Sequence, residues 1–257
     1  MSCRDVSAFL KSRPGVFRVD LPFDAPPNIG DAFGVQETGG AGATMAAIYY
    51  AVRARSDLLN DEYILRPFSA VDPDPIYEDA SWKIYKNATA FPRAWLVHSV
   101  IVEPRNASVF QRLNDPNIDL RQTAFIDTAL AETLESSASA VGEQAVVSNY
   151  KANSFSVSVT TQNRALLVMS ETFYPGWRAT VNGKSARIYK VDGGLRGVIV
   201  PAGDSHVSFH YLPSSVLIGA ALSVIAFIGT LVFWYFGRRR PSVASDRRIE
   251  YAHVEVK

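Results

Sequence analysis

Hydrophobic and polar positions change rhythm three times along the chain. Near the C-terminus, Val216 to Phe236 reads VLIGAALSVIAFIGTLVFWYF, an uninterrupted apolar run without a charge. A hydrocarbon layer about 30 Å thick needs roughly 20 such residues in helical form, so the run predicts a transmembrane helix over 214–237. Ser223, Thr230 and Tyr235 are its polar side chains, and each can return a hydrogen bond to the helix or sit at an interface. Trp234 and Tyr235 fall where an aromatic belt is expected. A buried core helix of this length would show a polar stripe, and none is present.

Before the span, the pattern is strict alternation broken by turn residues. Phe155, Val157 and Val159 alternate with Ser154, Ser156, Ser158 and Thr160, giving a strand with one apolar and one wet face. Ala165 to Ser170 is continuously apolar, as in a central strand. Asn182-Gly183 lies between two strand-like arms and predicts a hairpin, because both residues tolerate positive φ. Asp192-Gly193-Gly194 and Pro201-Ala202-Gly203-Asp204 punctuate the next connections. Val207, Phe209 and Tyr211 then alternate with His206, Ser208 and His210. Six strands at this spacing predict an antiparallel β-sandwich over 148–213.

The first half is mixed. Met45, Ile48, Tyr49 and Val52 have helical spacing within Gly40 to Arg55, whereas Tyr63 to Leu65, Trp82 to Tyr85 and Ala94 to Val102 resemble strands. Ala107 to Leu113 reads as a short helix, and Asp72 to Pro75 as a rigid turn. Residues 1–130 are therefore expected to form an α+β region. The small, polar, weakly acidic stretch AETLESSASAVGEQ places a linker at 131–147.

Charge adds an orientation. Arg238, Arg239, Arg240, Arg247 and Arg248 follow the span, while the nearest arginine before it is Arg196. The positive-inside rule puts a basic tail, 238–257, in the cytoplasm and the preceding region outside it. MSCRDVSAFLKSRPG has no apolar h-region to export that region. Either upstream spans of a longer polytopic protein export it, or the chain is tail-anchored with a cytoplasmic domain. With 257 residues, net charge +1, 47% hydrophobic and 20% charged residues, the composition gives no indication of nucleic-acid binding. A single cysteine, Cys3, excludes an intramolecular disulfide framework.

Candidate chemistry is sparse. Four histidines and one cysteine show no zinc spacing, so no metal and no cofactor are expected. His206 and His210 are roughly 13 Å apart along a strand, too far to share an ion. His98 reads as a hydrogen-bonded, half-buried side chain, since no nucleophile motif accompanies it. Gly39-Gly40-Ala41-Gly42 lacks a P-loop lysine and reads as a helix entry, with phosphate binding as the alternative. Asn87-Ala88-Thr89 and Asn106-Ala107-Ser108 match glycosylation sequons. The most chemically equipped group is Glu171, Tyr174, Trp177 and Arg178. Its aromatic faces and charged groups could stack on a sugar ring and hold its hydroxyls. The plainer alternative has Trp177 plugging the sandwich core while Pro175-Gly176 makes a bend.

The segment SETFYPGWRATVNGKSARIYKVDGGLRGVIVPAGDSHVSFHYLP, followed directly by an apolar span, resembles the C-terminal end of bacterial YfhO-family membrane proteins. PNIGDAFGVQETGG, LLNDEYIL, WKIYKNATAFPRAWLVH and LNDPNIDLRQTAFID extend the resemblance to roughly 14–236. Such proteins are large, polytopic and similar to the glycosyltransferase C superfamily. The resemblance implies the noncatalytic extracytoplasmic portion of an enzyme that moves sugars from a lipid-linked donor to the cell envelope. It implies as partners the lipid bilayer, a lipid-linked sugar or envelope glycan, and a membrane-embedded region. Catalytic acidic residues of that superfamily lie near the first spans, which this sequence lacks, so no catalytic residue is carried over. The other reading is a stand-alone membrane-anchored binding or assembly module without enzymatic activity.

Overall fold

The computed structural model describes residues 3–22, 29–39, 52, 55–72, 74–135 and 142–238. The helical pattern at 40–55 therefore lies almost wholly outside the described residues. So do Gly40 to Gly42, Pro73 of the expected rigid turn, the middle of the 131–147 stretch and the tail beyond Arg238. The chain divides into two compact units, Met1–Leu212 and Pro213–Lys257. Strand and helix numbers below follow chain order.

The first unit is built from three sheets. Two face each other as a sandwich, as the alternating patterns predict. The five-stranded sheet contains β9 (Gln144–Lys151), β10 (Ser154–Thr161), β12 (Trp177–Val181), β13 (Lys184–Ala186) and β16 (Gly203–Tyr211), in the order β13-β12-β16-β10-β9. The six-stranded sheet contains β6 (Ala94–Val97), β7 (Ser99–Val102), β8 (Thr123–Ile126), β11 (Ala165–Thr172), β14 (Tyr189–Val191) and β15 (Leu195–Val200), in the order β6-β11-β15-β14-β8-β7. Strands from both sides of residues 131–147 thus pair in one sheet. β11 has β6 on one side and β15 on the other.

Register follows the hydrophobic alternation. Phe155 faces Phe209 and Val157 faces Val207 across the β10/β16 pair, and the two phenylalanine rings lie 4.7 Å apart. They share a buried cluster with Leu167, Met169, Val198 and Val200 of the opposing sheet. Leu166 and Val168 point the other way, into a second core with Leu58, Phe125, Val109 and Val191. Both faces of β11 are therefore covered, which is why its sequence is continuously apolar rather than alternating. Burying each such side chain contributes roughly 1.5–3 kcal/mol.

The turns are as the sequence predicts. Asn182 and Gly183 have φ of 50° and 77° and join β12 to β13 as a two-residue hairpin. Asp192 and Gly193, at 48° and 75°, turn β14 into β15. The apolar stretch from Ala94 splits at His98 into β6 and β7. β7 then runs parallel to β8, and the return crossing is supplied by residues 103–122 with helix α3 (Asn106–Arg112).

The third sheet has the order β2-β1-β3-β5-β4, from β1 (Arg18–Asp20), β2 (Gln36–Glu37), β3 (Asp61–Pro67), β4 (Tyr77–Glu78) and β5 (Trp82–Lys86). Helices α1 (Cys3–Lys11) and α2 (Ile29–Phe33) cover it. Val6 and Leu10, one helical turn apart, are fully buried on α1, and Asp5 and Lys11 match the helix dipole at its two ends.

The second unit holds α4 (Ser214–Gly237), 24 residues long, whose most apolar 18-residue stretch has a mean hydropathy of 2.6 and in which no residue is buried. At 1.5 Å per residue it is about 36 Å long, enough to cross a bilayer. Ser223 and Thr230 donate to the carbonyls of Gly219 and Ala226, both at 2.9 Å, so their hydroxyls are satisfied without water. Arg238 stacks its guanidinium 3.9 Å from the Trp234 ring centroid at the helix end.

Candidate functional site

The four residues singled out from the sequence separate. β11 ends with Glu171 turned inward and only 8% exposed, and the chain then bends through Tyr174-Pro175-Gly176 into β12. Tyr174 is 54% exposed, Trp177 half-buried and Arg178 exposed. Trp177 packs against Phe155 and Tyr211, with centroids 5.6 and 5.5 Å away, at the edge of the sandwich core. Tyr174, Trp177 and Arg178, together with Ser185 and Ile188, line a shallow cleft of about 260 Å³. Glu171 is not among its lining residues.

Glu171 instead anchors a buried ionic cluster built by residues far apart in sequence. Its Oε1 is 2.6 Å from Nη2 of Arg93 and accepts from the Tyr150 hydroxyl at 2.8 Å; its Oε2 is 3.4 Å from Nη2 of Arg18. Arg18, on β1, also donates through Nη1 to the carbonyls of Ser170 and Leu59, at 2.6 and 2.8 Å. Arg93 precedes β6 and donates through Nη2 to Gln36 Oε1 and Tyr150 Oη, both at 2.6 Å. Arg196, on β15, donates to the Thr172 carbonyl at 2.8 Å and lays its guanidinium 4.0 Å from the Trp177 ring centroid. The third sheet is thereby tied to the sandwich through side chains of β1, β2 and β11 and through Arg93, with Tyr150 of β9 joining the same cluster.

The electrostatics are lopsided. Arg18 and Arg93 bridge to one carboxylate, and the charge of Arg196 also bears on it. Burial pushes the Glu171 carboxyl up, but the three guanidinium charges outweigh it and hold the group below its ordinary value. Burial and the neighbouring Arg18 charge lower Arg93, and burial lowers Arg196 to about 10, so both remain cationic at neutral pH. Burial and the Glu171 charge raise Tyr150, which stays a neutral donor. Arg93 is 4% exposed, and its Nε and Nη1 have no hydrogen-bond partner; the same two atoms of Arg196 have none. Aromatic faces partly compensate them, Trp177 for Arg196 and Tyr150, at 4.9 Å, for Arg93.

Sequence reasoning found Glu171 but missed its partners. A signal was present: Arg196 interrupts the apolar strand of Leu195–Val200, and Arg93 directly precedes the buried Ala94-Trp95 pair. A charge inside a buried run needs a partner.

His98 places Nδ1 3.0 Å from the Glu135 carbonyl and Nε2 3.0 Å from Glu143. His206 and His210 are exposed on β16. Asn87 uses its side chain on the Asp61 carbonyl and on Thr89, and Asn106 opens α3. Among the described residues no three His, Cys, Asp or Glu side chains group as metal ligands.

A β-rich unit with an ionic seam, followed at once by an apolar helix of spanning length, defines a membrane-anchored β-sheet protein. Residues 103–223 match the family model described as bacterial membrane protein YfhO. A curated relative, "Uncharacterized protein YfhO" of Bacillus subtilis (strain 168), is 26% identical over 99 residues, which is 38% of this chain and 11% of that protein. No solved structure matches the chain. Over residues 103–223 the chain is thus similar to the YfhO family. Segments of the resemblance before Glu103 lie outside the matched residues.

Proposed function

We propose that this chain supplies the noncatalytic, extracytoplasmic portion of a YfhO-like membrane glycosyltransferase acting in cell-envelope glycan modification. The observation that carries this reading is the extent of the family match. It takes in the sandwich strands from β8 to β16, crosses the two-residue junction Leu212-Pro213 and enters the first turns of α4, so these strands and the start of the helix recur together. The arginines that follow the helix favour a cytoplasmic tail and hence an outer placement of the first unit. The cleft of Tyr174, Trp177 and Arg178 is the proposed carbohydrate contact. Tyrosine and tryptophan faces stack on the C–H surface of a sugar ring, and a guanidinium binds hydroxyls or acidic groups beside it. The bilayer, a lipid-linked sugar or envelope glycan, and a membrane-embedded region are its proposed partners.

Topology is tested with a membrane-impermeant maleimide on intact cells carrying Cys3→Ser and Lys151→Cys. Labelling of Cys at the exposed β9 end without lysis is expected; labelling only after lysis overturns the outer placement. For the function, sugar analysis of the envelope from a strain lacking this chain is expected to show loss of one component, restored by the chain and not by Trp177→Ala. An unchanged sugar profile rules the reading out.

A further inference from the structure

Beside the ionic seam lies an open pocket of about 280 Å³, lined by Lys11, Arg13, Gln36, Tyr150 and the backbone turn at Gly15 to Phe17. We infer that this pocket is a binding site for a phosphate group. The inference is independent of the glycosyltransferase reading and of membrane orientation, because it rests on charge and geometry within the first unit.

Three observations converge on it. First, the pocket shares two residues with the buried cluster: Gln36 and Tyr150 line it, and Nη2 of Arg93 donates to the side-chain oxygen of each. Second, that cluster sets three guanidinium groups against the single carboxylate of Glu171, and Arg93 keeps two buried nitrogens without partners. Uncompensated positive charge behind a low-dielectric wall projects into the adjoining pocket. Third, the rim is cationic. Lys11 folds over Gly34, whose φ of 65° and missing Cβ leave the room: an added Cβ would stand 2.7 Å from the Lys11 ammonium. Arg13 lies across the Phe9 ring at 4.3 Å. Neither forms a salt bridge with a carboxylate among the described residues.

A multiply charged oxyanion answers this arrangement better than any neutral ligand. Lys11 and Arg13 supply charge-assisted donors, and the Gln36 amide has N–H groups left after its carbonyl serves Arg93; Tyr150, whose hydroxyl proton goes to Glu171, only forms part of the wall. Glu171 opposes an anion, but its charge is engaged by Arg18, Arg93 and Tyr150. Glu37, next to Gln36, is committed to the Gly30 N–H at 2.7 Å. Arg93 acts as a positioning residue: it holds the two lining groups and contributes field, without touching the ligand itself. The volume suits a phosphate carrying a small substituent, whether free in solution or on a lipid headgroup.

The test uses the full chain in detergent micelles, titrated with inorganic phosphate and, separately, with short-chain phosphatidic acid, each against chloride at equal ionic strength. Phosphate is expected to raise Tm in a saturable way that chloride does not reproduce. Lys11→Ala/Arg13→Ala, confined to the rim, is expected to lower Tm without phosphate only slightly and, measured from that baseline, to weaken binding about tenfold per lost contact. Response to both ligands supports the site with a headgroup as a competent source, and response to inorganic phosphate alone supports it with a soluble one. Equal effects of phosphate and chloride, or a rim variant that binds like the parent, overturn it.

Discussion

One strand, β11, carries two kinds of interior in succession. From Leu166 to Met169 its side chains enter apolar cores on both faces; at Ser170 and Glu171 the same strand enters the ionic seam. The apolar part is held by many weak, non-directional contacts, so a change of shape at constant volume is absorbed. In the seam every group is fixed by a donor or a charge, and a change of one atom leaves others uncompensated.

Isosteric substitutions probe that difference most sharply. Glu171→Gln retains shape but leaves three guanidinium groups, those of Arg93 and Arg196 buried and that of Arg18 half-buried, without their shared counter-charge. It is expected to cost about 3–5 kcal/mol, read from urea unfolding of the detergent-solubilised chain by tryptophan fluorescence. Leu167→Ala empties volume in the inner core and should cost about 3 kcal/mol by the same assay. Leu167→Met, matching the Glu171 change in conservatism, should cost less than about 1.5 kcal/mol. A Leu167→Met loss equal to that of Glu171→Gln would erase the distinction.

Acidity separates the two regions again. Glu171 has a folded-state pKa held below its ordinary 4.5, so its stabilisation is present above that value and is lost as pH falls through the lowered one. Asp192, wholly buried at the β14–β15 turn with only the Phe125 N–H and the more distant Arg55 charge to oppose burial, is pushed up to about 7. Its contribution has the opposite sign: present below the ordinary 3.8, and lost as pH rises through about 7. Asp192→Asn, which keeps the acceptor and tolerates the φ of 48°, should flatten stability between about pH 4 and 7. Tm measured across that range checks it; an unaltered slope rules it out. A further modest effect is expected at the exposed hairpin. Gly183→Ala meets no atom within 4 Å but must adopt φ of 77°, costing about 1–2 kcal/mol.

The same difference decided what could be read from the chain. Phe155, Val157, Val207 and Phe209 advertise their face by period, and Asn182-Gly183 advertises its turn by chemistry, because both signals are local. β11 as an interior strand and α4 as a spanning helix were equally legible. The pairing of β6 and β8 with strands beyond residue 131 was not, since strand pairing across such separations leaves no periodic trace. At the candidate site, Trp177 was legible as an aromatic at a bend, and its double role, edge of a core and wall of a cleft, follows from packing alone. The ionic seam was hidden for a similar reason: Arg18, Arg93 and Arg196 each look like an isolated charge until folding brings them to Glu171. α1, β1 and β2 are so short that their amphipathic patterns carry little information.

The junction between the two units has a mechanical meaning. β16 pairs with β10 on one side and β12 on the other, and the chain leaves it for α4 after only Leu212 and Pro213. The Leu212 N–H is itself tied to the Gly176 carbonyl at 2.8 Å. A pull transmitted along the membrane helix therefore arrives at an interior strand. Peeling it away would break two ladders of backbone hydrogen bonds, where an edge strand would yield after one. The anchor is spliced into the middle of the fabric, so the sheet can bear load from the bilayer without unravelling from its hem.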